Sequence, residues 1–148
     1  MSKAKQIGTA AETGVRNHLL RVGYSPLEAR RNVLTGGADQ GDVWLESPRL
    51  GLIVFEVKGG ASAKTASQEQ IAKWMQEAYT ERSNASGNYG FLVTQRSGFS
   101  AARSGNWWAF ANLSDLVNIS SSTDANYSGR NNPIVRLTLQ ELTDLIDG

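Results

Sequence analysis

Gly41-Asp42-Val43-Trp44-Leu45-Glu46-Ser47-Pro48, continuing into Arg49-Leu50-Gly51-Leu52-Ile53-Val54-Phe55-Glu56-Val57-Lys58-Gly59-Gly60, is the stretch from which the rest of this chain is read. Asp42 to Glu46 reads as a strand, and Ser47-Pro48 turns it into another, Leu50 to Lys58. From Leu52 to Phe55 the later strand is apolar on both faces, which predicts a central place in its sheet. Glu56 and Lys58 then share one face, two residues and roughly 7 Å apart. Val57 points the other way into the core and leaves its carbonyl as a further ligand. If the two strands are antiparallel neighbours, Asp42 lies beside Glu56.

Two carboxylates about 4 Å apart repel by roughly 4 kcal/mol at an effective dielectric of about 20. Either one is protonated or a cation lies between them. Oxygen donors in a chain with no cysteine and a single histidine select a hard ion, Mg2+ or Mn2+. Such an ion activates water and neutralises charge on a scissile phosphate. Lys58 is placed to orient or help deprotonate that water, or to stabilise the transition state. Glu-x-Lys alone is a common surface ion pair. Here it ends a doubly buried strand, precedes Gly59-Gly60 and follows Gly41-Asp42 at hairpin distance.

Outward from this hairpin, Ala11, Val15, Leu19 and Val22 recur at helical spacing, which predicts a helix from Ile7 to Val22 stopped by Gly23. Val33-Leu34 reads as a short strand before the flexible run 35–41. A helix is expected from Ser67 to Arg82, with Ile71, Trp74, Met75, Ala78 and Tyr79 inward. Tyr89 to Thr94 and Trp107 to Leu113 read as further strands. Between them Gln95 to Asn106 reads as a mobile loop, and Ser120 to Asn132 as a second polar loop. Thr138-Leu139-Gln140-Glu141 is a capping box opening a last helix to Ile146. The order α-β-β-β-α-β-β-α implies an α/β fold, a central mixed sheet flanked by helices, in one domain spanning 1–148.

The chain has 148 residues, 40% apolar composition and a net charge of +1, which fits one globular domain with an ordinary core. It carries no run of about 18 apolar residues, so no membrane span is expected. Its N-terminus lacks the apolar region of a secretory signal. With no cysteine, disulfides, thiolate metal sites and cysteine nucleophiles are excluded, and a reducing cytoplasm is the simplest setting. Lys3, Lys5, Arg16, Arg21, Arg30 and Arg31 crowd the N-terminal part, while the last helix carries Glu141, Asp144 and Asp147. A phosphate backbone would be met by the first group and avoided by the second.

Glu12 shares a helical face with Val15 and Leu19, where an unpaired acid is costly. Thr9-Ala10-Ala11-Glu12 also fits a capping box, the structural alternative. Gln70, one turn before Trp74, would touch a nucleotide or a bound water, or be an ordinary polar helix residue. Taken in order, helical Glu12, Gly41-Asp42, Glu56-Val57-Lys58 and helical Gln70 resemble the PD-(D/E)XK nuclease superfamily. Within it, the closest likeness is to archaeal-type and phage Holliday-junction resolvases. Arg31 with Thr35-Gly36-Gly37 matches the arginine and glycine-containing loop of those proteins. Gly41 stands where the family motif has proline, and Thr35 where archaeal members often have serine. The resemblance covers about Ile7 to Thr94 and implies a restriction-endonuclease-like fold. By it, Asp42, Glu56 and the Val57 carbonyl bind Mg2+, with Mn2+ as a substitute. Glu12 helps through a second metal or a water, and Lys58 assists the nucleophile. It also implies a homodimer, since a four-way junction needs two symmetric cuts. DNA contacts are expected from Arg30, Arg31, Lys64, Lys3 and Lys5.

Other readings compete. Gly59 to Thr65 follows a strand and precedes a helix like a P-loop, but Ala63 stands where the glycine before the lysine is required. His18, without a second histidine, is expected to pack in its helix or lie at the surface. Trp107-Trp108 either stack on unpaired bases or straddle a strand. Arg96 and Arg103 either grip DNA or border a solvated loop. Three functions therefore stand: a resolvase of branched DNA, a same-fold nuclease acting on linear duplex in restriction or repair, and a non-catalytic DNA-binding module whose acids are merely ion-paired. A duplex-specific enzyme usually needs more sequence for base readout, which favours the first over the second.

Overall fold

The computed structural model describes residues 2–32, 41–121 and 132–148. Helix α1 runs Lys3–Arg21, with Ser2 as its N-cap accepting from the Lys5 amide. It starts a turn earlier than the apolar spacing predicts. Thr9 is therefore helix interior, and the capping-box reading of Glu12 is corrected. Strands β1 (Ala29–Arg31), β2 (Val43–Ser47) and β3 (Gly51–Lys58) follow. The strand expected at Val33-Leu34 lies outside the described residues. A short helix α2 (Gly60–Lys64) occupies the segment with P-loop-like spacing, and α3 spans Gln68–Asn84. Strand β4 (Tyr89–Thr94), a 3-10 turn (Ala101–Asn106), β5 (Trp108–Asn112), α4 (Leu113–Ser120), β6 (Ile134–Thr138) and α5 (Leu139–Asp147) complete the chain.

The six strands form one mixed sheet in the order β1-β2-β3-β4-β5-β6. Only β3 and β4 are parallel, joined by the α3 crossover; every other neighbouring pair is antiparallel. The central position expected for β3 is observed: Ile53 to Val57 are all buried between β2 and β4. Helices α1 and α5 share a core with the odd-numbered β3 and β4 side chains, Phe55, Val57, Phe91 and Val93 among them. On the opposite face α3 packs on β3 and β4, where Trp74 and Met75 meet Leu92 and Phe110. Val15, Leu19 and Trp107 are fully buried in the larger core, and truncating one such Leu to Ala costs ~2–5 kcal/mol. Among the described residues, no helix is long and apolar enough to cross a membrane.

Several elements depart from the sequence reading. The segment 95–106, read as a mobile loop, instead packs on α1: buried Ser104 donates to the Gly14 carbonyl at 2.7 Å and accepts from Arg21 at 3.2 Å. Helix α4 and edge strand β6 were not expected at all. By contrast the capping box at Thr138 forms as read, with Glu141 N–H donating to Thr138 Oγ1 and Thr138 N–H to Glu141 Oε1. His18 is the helix-packing residue anticipated, its Nε2 lying 3.2 Å from Thr143 Oγ1 in the core.

Candidate metal centre

The β2–β3 ladder builds the site. Its register pairs Val43 with Phe55, and the Asp42 amide donates to the Phe55 carbonyl at 3.0 Å. Asp42 thus stands opposite Glu56 at the open end of β2. One Asp42 carboxyl oxygen accepts the Val57 amide at 2.8 Å, and the Asp42 and Glu56 carboxyls hydrogen-bond each other. Gly41 makes the approach: its φ is +90°, and a Cβ there would lie 2.2 Å from Val54 Cγ1. Proline, locked near φ −65°, has no place at this turn.

Helix α3 supplies a residue the sequence reading missed. Glu81 is buried and its carboxyl meets that of Glu56. Three carboxyls therefore stand in a row, Asp42, Glu56 and Glu81. Burial raises Asp42 well above the carboxylate range, and the bonded Glu56 adds to the rise. Burial likewise raises Glu56, with Asp42 opposing and Glu81 reinforcing the shift. Burial therefore favours a proton on the Asp42–Glu56 pair, one of the two outcomes that adjacent acids allow. The signal for Glu81 was its helical phase: it lies seven residues after Trp74 and three after Ala78, both buried.

Lys58 closes the cleft from β3. Its ammonium lies 3.1 Å from Glu77 and 4.0 Å from Glu56, and 5.5 Å from the Trp74 ring centre. Burial pulls its pKa down, but Glu56, Glu77 and Asp42 outweigh this and hold it above the ordinary lysine value. It is a cation, suited to charge stabilisation rather than to accepting a proton. Glu12, from α1, reaches the same cleft and is bonded by Arg31 at 2.8 Å. The cleft of about 620 Å³ is lined by these acids with Val57, Lys58, Lys73 and Gln76.

Other expected residues lie elsewhere. Gln70 is on the same helical stripe as Lys73 and Glu77 but one turn nearer the α3 N-terminus, outside the cleft wall. At ~1.5 Å per residue it is ~16 Å along the axis from Glu81. Arg30 turns outward to Glu46 at 2.7 Å and lies against Trp44. Lys64 borders a different groove, beyond α3. Lys3 and Lys5 are exposed on the first turn of α1. Thr35, Gly36 and Gly37 are outside the described residues.

The donor set fits a hard ion. All available ligands are oxygens, and Mg2+ takes one or two carboxylates with water and substrate phosphate completing its shell. Among the described residues, no group of three or more acids or histidines converges as a preformed cage. Comparison of the chain with protein-family models, curated proteins and solved structures returns no match.

Proposed function

We propose that this protein is a Mg2+-dependent DNA endonuclease with a restriction-endonuclease-like version of the α/β fold, acting as a homodimer on branched DNA. The observation that carries the reading is the side-by-side placement of Asp42 and Glu56, with cationic Lys58 two residues further along β3. Asp42, Glu56 and the Val57 carbonyl would hold the ion, and Mn2+ would substitute. The chemistry supplied at such a site is activation of water and neutralisation of charge at the scissile phosphate. Glu81 backs Glu56 from behind and fixes its orientation. Lys58 adds positive charge where the pentavalent phosphorus develops negative charge. Glu12, tethered by Arg31, faces the same cleft and would hold a water or a second ion.

A second reading has its own support. Arg31 pairs with Glu12 and Lys58 with Glu77, while Asp42, Glu56 and Glu81 bond among themselves. Such internal neutralisation suits a DNA-binding module without catalysis. Incubating a labelled four-way junction and a linear duplex of the same sequence, with and without Mg2+, separates the readings. Junction cleavage only with Mg2+ supports the resolvase. Cleavage of both substrates supports a linear-duplex nuclease, and junction binding with no cleavage supports the module.

A further inference from the structure

On the far side of α3 from the acid cleft, the sheet is open. Strands β5 and β6 carry Trp108, Phe110, Ile134 and Arg136 into a groove of about 620 Å³, closed at one end by Lys64 of α2 and Ile71 of α3. Trp108 is half-buried. The Arg96 guanidinium lies 3.8 Å from its ring centre and that of Arg136 lies 4.1 Å away. Arg96 also lies 4.9 Å from the Phe99 ring, and Arg103 lies 5.0 Å from that same ring. Three cations and two rings thus alternate as a ladder: Arg103, Phe99, Arg96, Trp108, Arg136.

The arrangement is unusual in its charge. Among the described residues no carboxylate pairs with Arg96, Arg103 or Arg136, and none lines the groove. Neighbouring guanidiniums repel, and the rings hold them together by offering π faces on which planar cations stack. A stacked guanidinium keeps its in-plane N–H groups for an acceptor. Arg96 spends one on the Asn106 carbonyl at 3.2 Å. Phosphate diesters match the remaining donors in charge and geometry.

Register links this groove to the acid cleft. Lys58 pairs with Thr94, and Thr94 with Trp108, across adjacent strands. Two strand spacings of ~4.8 Å separate them. A strand with one phosphate beside Lys58 would reach the ladder within a few nucleotides by passing α2. The groove also interleaves aromatic rings with basic groups, the pattern that holds unpaired strands.

We propose that this ladder is a binding track for a single strand of nucleic acid, gripped through its phosphates by Arg96, Arg103 and Arg136. The track extends the nuclease reading, which supplies the direction from which the strand arrives, but its test does not require cleavage. The probe is a fluorescent single-stranded oligonucleotide, with anisotropy read in EDTA across a salt series. Changing Arg96 and Arg136 to Ala together is expected to weaken binding at least tenfold. It should also lower the salt slope by about 1.4, the share of two phosphate contacts on a single strand. Arg96→Lys with Arg136→Lys should keep the slope but lose affinity, because ammonium groups neither stack nor fork.

Unchanged affinity and slope in a folded Ala variant would overturn the track. Equal loss for a blunt duplex would overturn its preference for single strands, and displacement by millimolar pyrophosphate would reduce it to a generic anion site. Strand binding that depends on the ladder, in a protein that never cleaves a junction, would sink the nuclease reading and leave the track standing.

Discussion

Asp42 and Glu56 come from different strands and meet because the hairpin register leaves them no alternative. Asp42→Asn and Glu56→Gln are expected to abolish Mg2+-dependent cleavage while DNA binding persists, since basic contacts are untouched; cleavage gels and anisotropy check this together. Full activity in Asp42→Asn would defeat the mechanism. Glu81→Gln retains the bond to Glu56 but not the charge balance, and is expected to lower activity or metal affinity by ~10–100-fold. His18 offers a test at the same scale, apart from catalysis. Burial and then Arg21 lower its pKa from 6.5 to about 4, despite the opposing pull of Asp144 and Asp147. The fold keeps it neutral while the unfolded chain protonates below its ordinary value. Its stabilising effect is therefore complete above pH 6.5 and is lost as pH falls towards 4, a change on the order of 3 kcal/mol. Urea midpoints at about pH 7 and about pH 4.5 should fall further in the wild type than in His18→Gln.

Arg49, at the β2–β3 turn, ties two helix ends to the sheet. Its guanidinium donates to the Ile119 carbonyl at the end of α4 and to the Leu145 and Ile146 carbonyls of α5, at 2.9, 2.6 and 3.1 Å. Arg49→Ala leaves these carbonyls to water and should cost ~1–3 kcal/mol in urea unfolding; Arg49→Lys should recover only part, as a point charge cannot span three acceptors. Elements dominated by local chemistry were legible in the sequence: the Ser47-Pro48 turn, the doubly apolar β3 and the Thr138 capping box. Elements that depend on a neighbour were not. Strand β6 presents Ile134 and Arg136 outward and exists because β5 offers it an edge. Helix α4 is rich in Ser and Asn, weak helix formers, and is held by α5 and β5. Glu81 shares the buried helical phase of Trp74 and Ala78 but was passed over for a related reason, because a charged residue on a helix reads as solvent-facing until its partner is known.

Across the whole molecule, a net charge of +1 conceals a division of labour. Basic residues read from sequence as DNA contacts are partly spent inside the protein, Arg31 on Glu12 and Arg30 on Glu46. Arg96, Arg103 and Arg136 have no such acid partner among the described residues. Changing Arg30 and Arg31 to Ala is therefore expected to reduce the salt dependence of DNA binding, but by less than changing Arg96 and Arg136; paired salt titrations decide the order. The nuclease reading rests on Asp42 and Glu56 converging on one divalent ion. Fe2+ with ascorbate and peroxide reports such a site directly, because hydroxyl radicals cut the backbone beside the bound metal. Fragments mapped by mass spectrometry should end near both Asp42 and Glu56, disappear with excess Mg2+, and be absent in Asp42→Asn. Scission elsewhere, or a pattern unchanged in that variant, would contradict the shared metal site.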